Sequence, residues 1–431
     1  MEAKSTKNAQ KNKKVLKIEY LDAKNLRILT WVIIRDIQTV MSLSPTFFFF
    51  FSIFATVNIY LPLFFKNMGY SSTEIGLLLA IFEISGTIIT FFLCRMPAKS
   101  GKYGLYLLFF GILLILLPFP LLLLPPIGTV LCIILYAIPI KVMVPISDSY
   151  VNLKLGCEKY KYGMIRSFGS MGFVVMSILM QYIVNIDTIS QVQSALWLSV
   201  PAFLMCVSLI VIPHLLTPVA EETQTMPPIA TAIESAKTSD KSLFGRFSPL
   251  FWLIIAVLVL GNFAQYANTK FFSLYVKEYL QSDSFAILWA VAVACEVPFM
   301  FFSYRFIRYF GSKKLIIFCV FIIAVRNFVY VLFPTVLGAT FGQLFHGITY
   351  GLLHPAAVIF IAEEIKDNKD AVLGQAIYSV GASGIASVVG SLFGGIIIDN
   401  FGYPFFYMMF GFFPLAGLAL YAMLNKRLRT S

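Results

Sequence analysis

The sequence predicts an all-α membrane protein with twelve transmembrane helices, arranged as two pseudo-symmetric bundles of six. Three observations carry that expectation: an apolar composition, twelve apolar runs of spanning length, and loops duplicated between the two halves. Of 431 residues, 59% are hydrophobic, 16% aromatic and 13% charged, and the mean hydropathy of +0.83 is far above that of a soluble domain. The net charge of +12 does not point to nucleic acid, because the basic residues alternate with apolar runs instead of gathering on one domain. Cys94, Cys132, Cys157, Cys206, Cys295 and Cys319 lie mostly within apolar runs with no CxxC or metal-ligand spacing, so they read as core residues. Neither a metal nor a cofactor is expected.

A helix needs about 20 apolar residues to cross a hydrocarbon core roughly 30 Å thick. Cutting the chain at charged and Pro/Gly-rich breaks gives spans beginning near Pro45, Glu74, Leu105, Gly128, Gly163, Ala195, Pro249, Phe285, Leu315, Leu337, Ala371 and Gly402. The first 44 residues form a polar, Lys-rich tail with no cleavable signal. Within it, Leu26 to Leu43 is interrupted by Arg35, Asp36 and Gln38, which suits an amphipathic helix on the membrane surface. With the N-terminus cytoplasmic, 27 Lys and Arg fall on cytoplasmic tails and loops and only Lys66 and Lys277 fall outside. That asymmetry predicts a multi-pass protein of the cytoplasmic (inner) membrane with both termini inside.

The expected organisation is a cytoplasmic tail (1–44), a first six-helix bundle (45–213), a polar linker (214–248), a second bundle (249–424) and a short tail (425–431). The halves look alike. Arg95 to Lys102 after the second span resembles Arg305 to Lys313 after the eighth, and Arg95/Arg305, Gly101/Gly311 and Pro145/Pro355 all differ by 210 positions. Gly169 and Gly172 pair with Gly381 and Gly384 at an offset of 212. Repeats of this kind place ligand sites between the halves near mid-membrane. The small residues of the eleventh span, Gly381 to Gly395, read first as helix packing.

Ionisable residues at membrane depth carry the functional signal, since each costs about 2.5–3.5 kcal/mol on insertion scales and is kept where it faces a polar path. Glu83 and Glu296 lie mid-way through the second and eighth spans. Lys141 and Asp148, seven apart in the fourth span, share a face, and Arg166 opens the fifth. Arg326 interrupts the ninth span, and His346 and His354 fall on the tenth. Asn262, Gln265 and Asn268 in the seventh span, and Gln375 and Tyr378 in the eleventh, line the same path or bond between helices. The competing readings stay open: Lys141 and Lys270 can snorkel to an interface, Glu83 can be a structural partner, and His354 can satisfy backbone freed by Pro355. No HExxH, GxSxG or paired acidic metal motif is present, so an enzyme is not expected. A non-transporting receptor would not need the inward-facing charges.

These residues resemble the major facilitator superfamily, and within it the branch of phenylpropionate permeases and, more distantly, lactose permease, an oligosaccharide–proton symporter. The resemblance rests on Pro145, Asp148, Asn152, Tyr162-Gly163, Arg166, Gly169-Ser170 and Phe173, then Glu296-Val297, Arg326, His346, Thr349-Tyr350, His354 and Gln375 to Ser379. It implies that Asp148, Arg166 and Phe173 bind substrate, with Lys141, Glu83, Asn268, Gln375 and His354 in support, and that Glu296, Arg326 and His346 couple transport to protons. The chain departs from lactose permease at Gln343, Thr349 and Phe299, where that permease has a lysine, a carboxylate and an asparagine. The expectation is a monomeric proton symporter working by alternating access, with protons and a small solute as partners alongside the bilayer. An aromatic carboxylic acid is the favoured solute, a sugar or nucleoside the alternative. Glu296 is the expected proton carrier, and Asp148 is expected to hold Arg166 when the site is empty.

Overall fold

Residues 23–156, 161–212, 215–218, 246–365 and 368–430 are described by the computed structural model. The chain divides into two units, Met1–Leu43 and Ser44–Ser431. In the first unit the chain is helical from Ala23, which takes in the expected Leu26 to Leu43 helix. The Lys-rich residues 1–22 and most of the expected linker (213–214 and 219–245) lie outside the described residues.

Among the described residues, eleven helices are long and apolar enough to cross a membrane, and the last is two spans in one. The first ten are α1 (Gln38–Asn67), α2 (Ser72–Pro97), α3 (Tyr103–Leu123), α4 (Pro126–Leu155), α5 (Tyr162–Ile183), α6 (Gln191–Val211), α7 (Pro249–Tyr279), α8 (Phe285–Phe310), α9 (Ser312–Leu332) and α10 (Val336–Glu364). The eleventh, Leu373–Asn425, breaks at Gly402, whose φ of 78° only glycine adopts easily, giving α11 (373–401) and α12 (403–425). The protein is therefore a multi-pass integral membrane protein of twelve helices, α1–α6 in one half and α7–α12 in the other. The helix that carries the expected first span near Pro45 is continuous from Ala23 to Ala55.

Local chemistry sets the ends. Ser71 with Glu74 and Ser190 with Gln193 form reciprocal capping boxes at α2 and α6, and Ser248 and Thr335 cap α7 and α10. Gly101 and Gly311, in the two duplicated loops, both take positive φ, 67° and 81°. Four helices contain a π-helical turn: Thr56–Tyr60 in α1, Tyr275–Tyr279 in α7, Gly347–Leu352 in α10 and Ser379–Ile385 in α11. Such turns recur at functional sites because they release backbone groups and re-aim side chains.

The small residues of α11 divide by role. A Cβ on Gly395 would lie 2.1 Å from the Ser72 carbonyl oxygen and one on Gly76 would lie 2.4 Å from that of Ser391, so α2 and α11 touch backbone to backbone across the halves. A Cβ on Gly384, by contrast, would make only ordinary contacts, 3.8 Å from the Ser379 carbonyl oxygen and 4.0 Å from Thr87, and this glycine lines a cavity. Besides the ion pair of Glu83 with Lys270, several polar contacts between the halves gather at one end. There Asp399 meets Ser72 and Thr73, Gln181 meets Asp283, Ala286 and Ile287, Lys277 bridges to Asp187, and Lys66 to Glu278. Tyr60 packs on Phe285 at the same end.

Candidate functional site

Toward the other end, between the halves, lies a cavity of about 310 Å³. Glu83, Lys141 and Asp148 supply its charges, Thr87, Thr90, Ser379 and Ser383 its hydroxyls, and Tyr266 an aromatic wall. Polar side chains form three clusters, of which the second supplies Asp148 and the third Glu83 and Lys141 to the cavity wall, while the first lies outside that wall.

The first is built on Arg326 of α9, 2% exposed. Its guanidinium donates to Tyr330 (3.0 Å), Gln343 (2.6 Å), Gln265 (3.3 Å) and Thr349 (3.4 Å), and its Nη1 lies 3.1 Å from His346 Nδ1. A guanidinium can only donate, so Nδ1 must accept and the ring proton sits on Nε2. That nitrogen faces Glu296 Oε2 at 3.8 Å. Glu296, Arg326 and His346 are thus brought together as a chain, with Arg326 reaching Glu296 through the imidazole. Gln343 and Thr349, where lactose permease carries charge, act as neutral acceptors for this arginine.

The second cluster joins α4 to α5. Tyr162 donates to Asp148 Oδ1 at 2.8 Å, and Arg166 is stacked 3.9 Å above the Phe51 ring and 5.4 Å from that of Phe47. Asp148 and Arg166 form no direct ion pair among the described residues; Tyr162, which donates to Asp148 and contacts Arg166, links them, and Arg166 acts on the carboxylate at Coulombic range. Arg166 instead keeps its guanidinium on aromatic faces, within Coulombic range of Glu296 and His354.

The third cluster was not legible in the sequence. Glu83, buried on α2, accepts from Lys141 Nζ of α4 and Lys270 Nζ of α7, each at 2.7 Å. Lys270 is 7% exposed and does not snorkel. Lys141 pairs with Glu83 rather than supporting Arg166. Seven residues put Lys141 and Asp148 on one face, yet two turns of separation give them different partners.

The remaining expected site residues lie elsewhere. Phe173 is buried against Trp289 of α8 with ring centroids 6.3 Å apart, so it closes the halves rather than facing the cavity. Trp289 in turn meets the His346 ring edge-on at 6.0 Å. Asn268 is buried inside the second half, where it accepts from Tyr407 (3.4 Å), and Gln265 serves Arg326, so the α7 amides brace their own bundle. Gln375 donates to the Val358 carbonyl (2.9 Å), which ties α11 to α10. His354 meets the Tyr378 hydroxyl at 3.4 Å and leaves the Pro355 backbone alone.

Comparison with known proteins agrees with this architecture. The MFS_1 like family model matches residues 40–409. The chain is similar to the maltose permease of Geobacillus stearothermophilus, 24% identical over 375 residues that cover 86% of this chain and 83% of the permease. It is also similar to the uncharacterized transporter YwbF of Bacillus subtilis (strain 168), 26% identical over 289 residues, 66% of this chain and 67% of that one. Among solved structures, the nucleoside transporter NupG superposes with a TM-score of 0.75 at 14% identity, over 90% of this chain and 99% of its own. A D-xylose–proton symporter gives 0.60 at 17%, over 90% and 97%. At such identities the structural likeness establishes the fold, two six-helix bundles of the major facilitator type. With the family match running from α1 into α12, the chain belongs to the MFS_1 like family.

Proposed function

We propose that the protein is a secondary active transporter that couples the uptake of a small organic anion, an aromatic carboxylate, to protons by alternating access. The observation that carries this reading is the position of Glu296 between two positive centres. One is Arg326, two contacts away through His346; the other is Arg166, within Coulombic range. Arg166 forms no ion pair among the described residues and is flanked by Phe47 and Phe51, which suits a carboxylate attached to a ring. When a substrate anion settles on Arg166, it cancels part of the attraction between that guanidinium and the Glu296 carboxylate. Anion and proton then favour one another's binding, which is the thermodynamic content of symport.

The cavity lies toward the end that carries the duplicated basic loops, and the asymmetry of Lys and Arg supports reading that end as cytoplasmic. In this reading the state described opens inward, in a cytoplasmic membrane, and the protein works as a monomer. Lys141 and Glu83 complete the polar lining, His354 bonds Tyr378 outside it, and Asn268, Gln375 and Phe173 act through packing or closure.

A neutral polyol is the second reading. The hydroxyls of Thr87, Thr90, Ser379 and Ser383 favour it, as does similarity to a protein named maltose permease. Purified protein in liposomes under an imposed inward proton gradient separates the two. Radiolabelled 3-phenylpropionate should accumulate above equilibrium while maltose and uridine do not. Accumulation of maltose or uridine but not the acid would replace the first reading with the second, and accumulation of none without a gradient effect would remove both.

A further inference from the structure

The Glu83 cluster has one more positive charge than negative. Lys141 and Lys270 share a single carboxylate, and both ammonium groups also sit over the Phe82 ring, at 5.7 and 5.8 Å. The two lysines differ in their attachment. Lys141 and Glu83 belong to α4 and α2 of the first half, whereas Lys270 belongs to α7 of the second. The Glu83–Lys270 ion pair therefore spans the halves, with side chains 5% and 8% exposed. Lys141 is 26% exposed and lines the cavity beside Thr87 and Asp148.

Separating the halves at the end closed by Asp399, Gln181 and Lys277 would pull α7 from α2. Glu83 keeps Lys141 as its partner through that movement. Lys270 would be stranded, and an uncompensated ammonium at membrane depth is strongly unfavourable. Resting on the reading above of an organic-anion symporter, we propose that Lys270 is an anion receptor whose seat Glu83 occupies in the state described. In the opposite state the seat is taken by the carboxylate of the substrate. Arg166 and Lys270 then serve the same anion in alternate states. The empty carrier closes on Glu83, and the anion that replaces Glu83 is what makes the opposite opening accessible.

The test uses the full chain in nanodiscs, with 3-phenylpropionate and its neutral amide, 3-phenylpropionamide, as probes. Binding is read by calorimetry. Opening is read by the distance between spin labels at Tyr182→Cys and Phe401→Cys, exposed positions on α5 and α11 at the closed end, with the native cysteines replaced. Lys270→Gln should weaken binding of the acid by about tenfold or more while leaving the amide unchanged, and should lengthen the label distance without ligand. Glu83→Gln should bind the acid more tightly by a similar factor and lengthen the distance only when the acid is present. Glu83→Gln/Lys270→Gln, which buries no unmatched pair between the halves, should behave as Lys270→Gln and guards against a misfolded single variant. Acid binding abolished by Arg166→Ala but unchanged by Lys270→Gln, with unchanged label distances, overturns the Lys270 seat and leaves the proposed function standing. No response to the acid in any variant, with label distances unchanged in Lys270→Gln, overturns both.

Discussion

Asp399, at the end of α11, accepts the backbone N–H groups of Ser72 at 3.0 Å and Thr73 at 2.6 Å, and so caps the first turn of α2 in the other half. Its counterpart is Gln181 at the end of α5, whose Oε1 accepts from Ala286 (3.2 Å) and Ile287 (3.3 Å) at the start of α8. In each case the fifth helix of one half caps the second helix of the other. The duplication that was legible as loops thus reappears as a pair of clasps. Free N–H groups at a helix start are donors with a partial positive charge, which is why the carboxylate at Asp399 suits α2.

Removing a helix cap typically costs about 0.5–2 kcal/mol. Because these caps exist only while the halves meet, Asp399→Ala should move the population toward the opposite opening by about tenfold at the middle of that range. Gln181→Ala should do the same more weakly, since a neutral acceptor is lost. Spin-label distances across the closed end check both, and an unchanged distribution in Asp399→Ala would show that backbone packing at Gly76 and Gly395 holds this end alone.

Much of the architecture could be read from the sequence because it is written in local patterns. Twelve apolar runs, Gly101 and Gly311 at equivalent turns, and Gly402 between two runs all follow from spacing and composition. The pairing of charges was less accessible. Nothing local tells that Lys270 meets Glu83, 187 positions away, or that Tyr162 rather than Arg166 satisfies Asp148. The π-helical turns were also hidden, since a period of 3.6 residues is assumed when faces are assigned. One such turn separates His346 from His354, which take unrelated partners, and another carries Ser379 and Ser383 into the cavity wall.

Burying one carboxylate between two ammonium groups predicts an asymmetric response in stability. Glu83→Leu leaves both cations without a partner, and breaking a buried pair in this way costs about 3–5 kcal/mol. Replacing all three charges, as Glu83→Leu/Lys141→Met/Lys270→Met, should recover most of that loss while transport stays absent. Thermal unfolding in detergent measures this; a triple variant no more stable than Glu83→Leu would mean that packing, not charge, is what Glu83 supplies.

Binding and coupling should come apart at Arg166 and Glu296. Arg166→Ala removes the cation that receives the substrate carboxylate and should abolish both binding and transport. Glu296→Gln keeps shape and hydrogen-bonding capacity but fixes a neutral group. Uphill accumulation in proteoliposomes should fail while substrate binding and exchange of internal for external substrate survive. Accumulation equal to that of the parent would exclude Glu296 as the carrier and direct attention to Asp148.

His346 offers the sharpest distinction between relaying a proton and arranging the groups that do. Its Nδ1 faces the guanidinium of Arg326 at 3.1 Å, so a proton on that nitrogen would point at a donor and break the contact. The remaining Nε2–H faces Glu296 Oε2 at 3.8 Å, longer than a direct hydrogen bond. We expect the imidazole to act through its position, as the acceptor for Arg326 and the neighbour of Glu296. A glutamine can reproduce it, its amide oxygen accepting from Arg326 and its NH₂ donating toward Glu296, but it cannot be protonated. His346→Gln should therefore keep uphill accumulation within about threefold of the parent, whereas His346→Phe, which leaves Arg326 one acceptor short and Glu296 unlinked, should lose it by about tenfold or more. Equal loss in both variants would mean that the proton itself passes through His346, and the carrier would then be the His346–Glu296 pair rather than Glu296 alone.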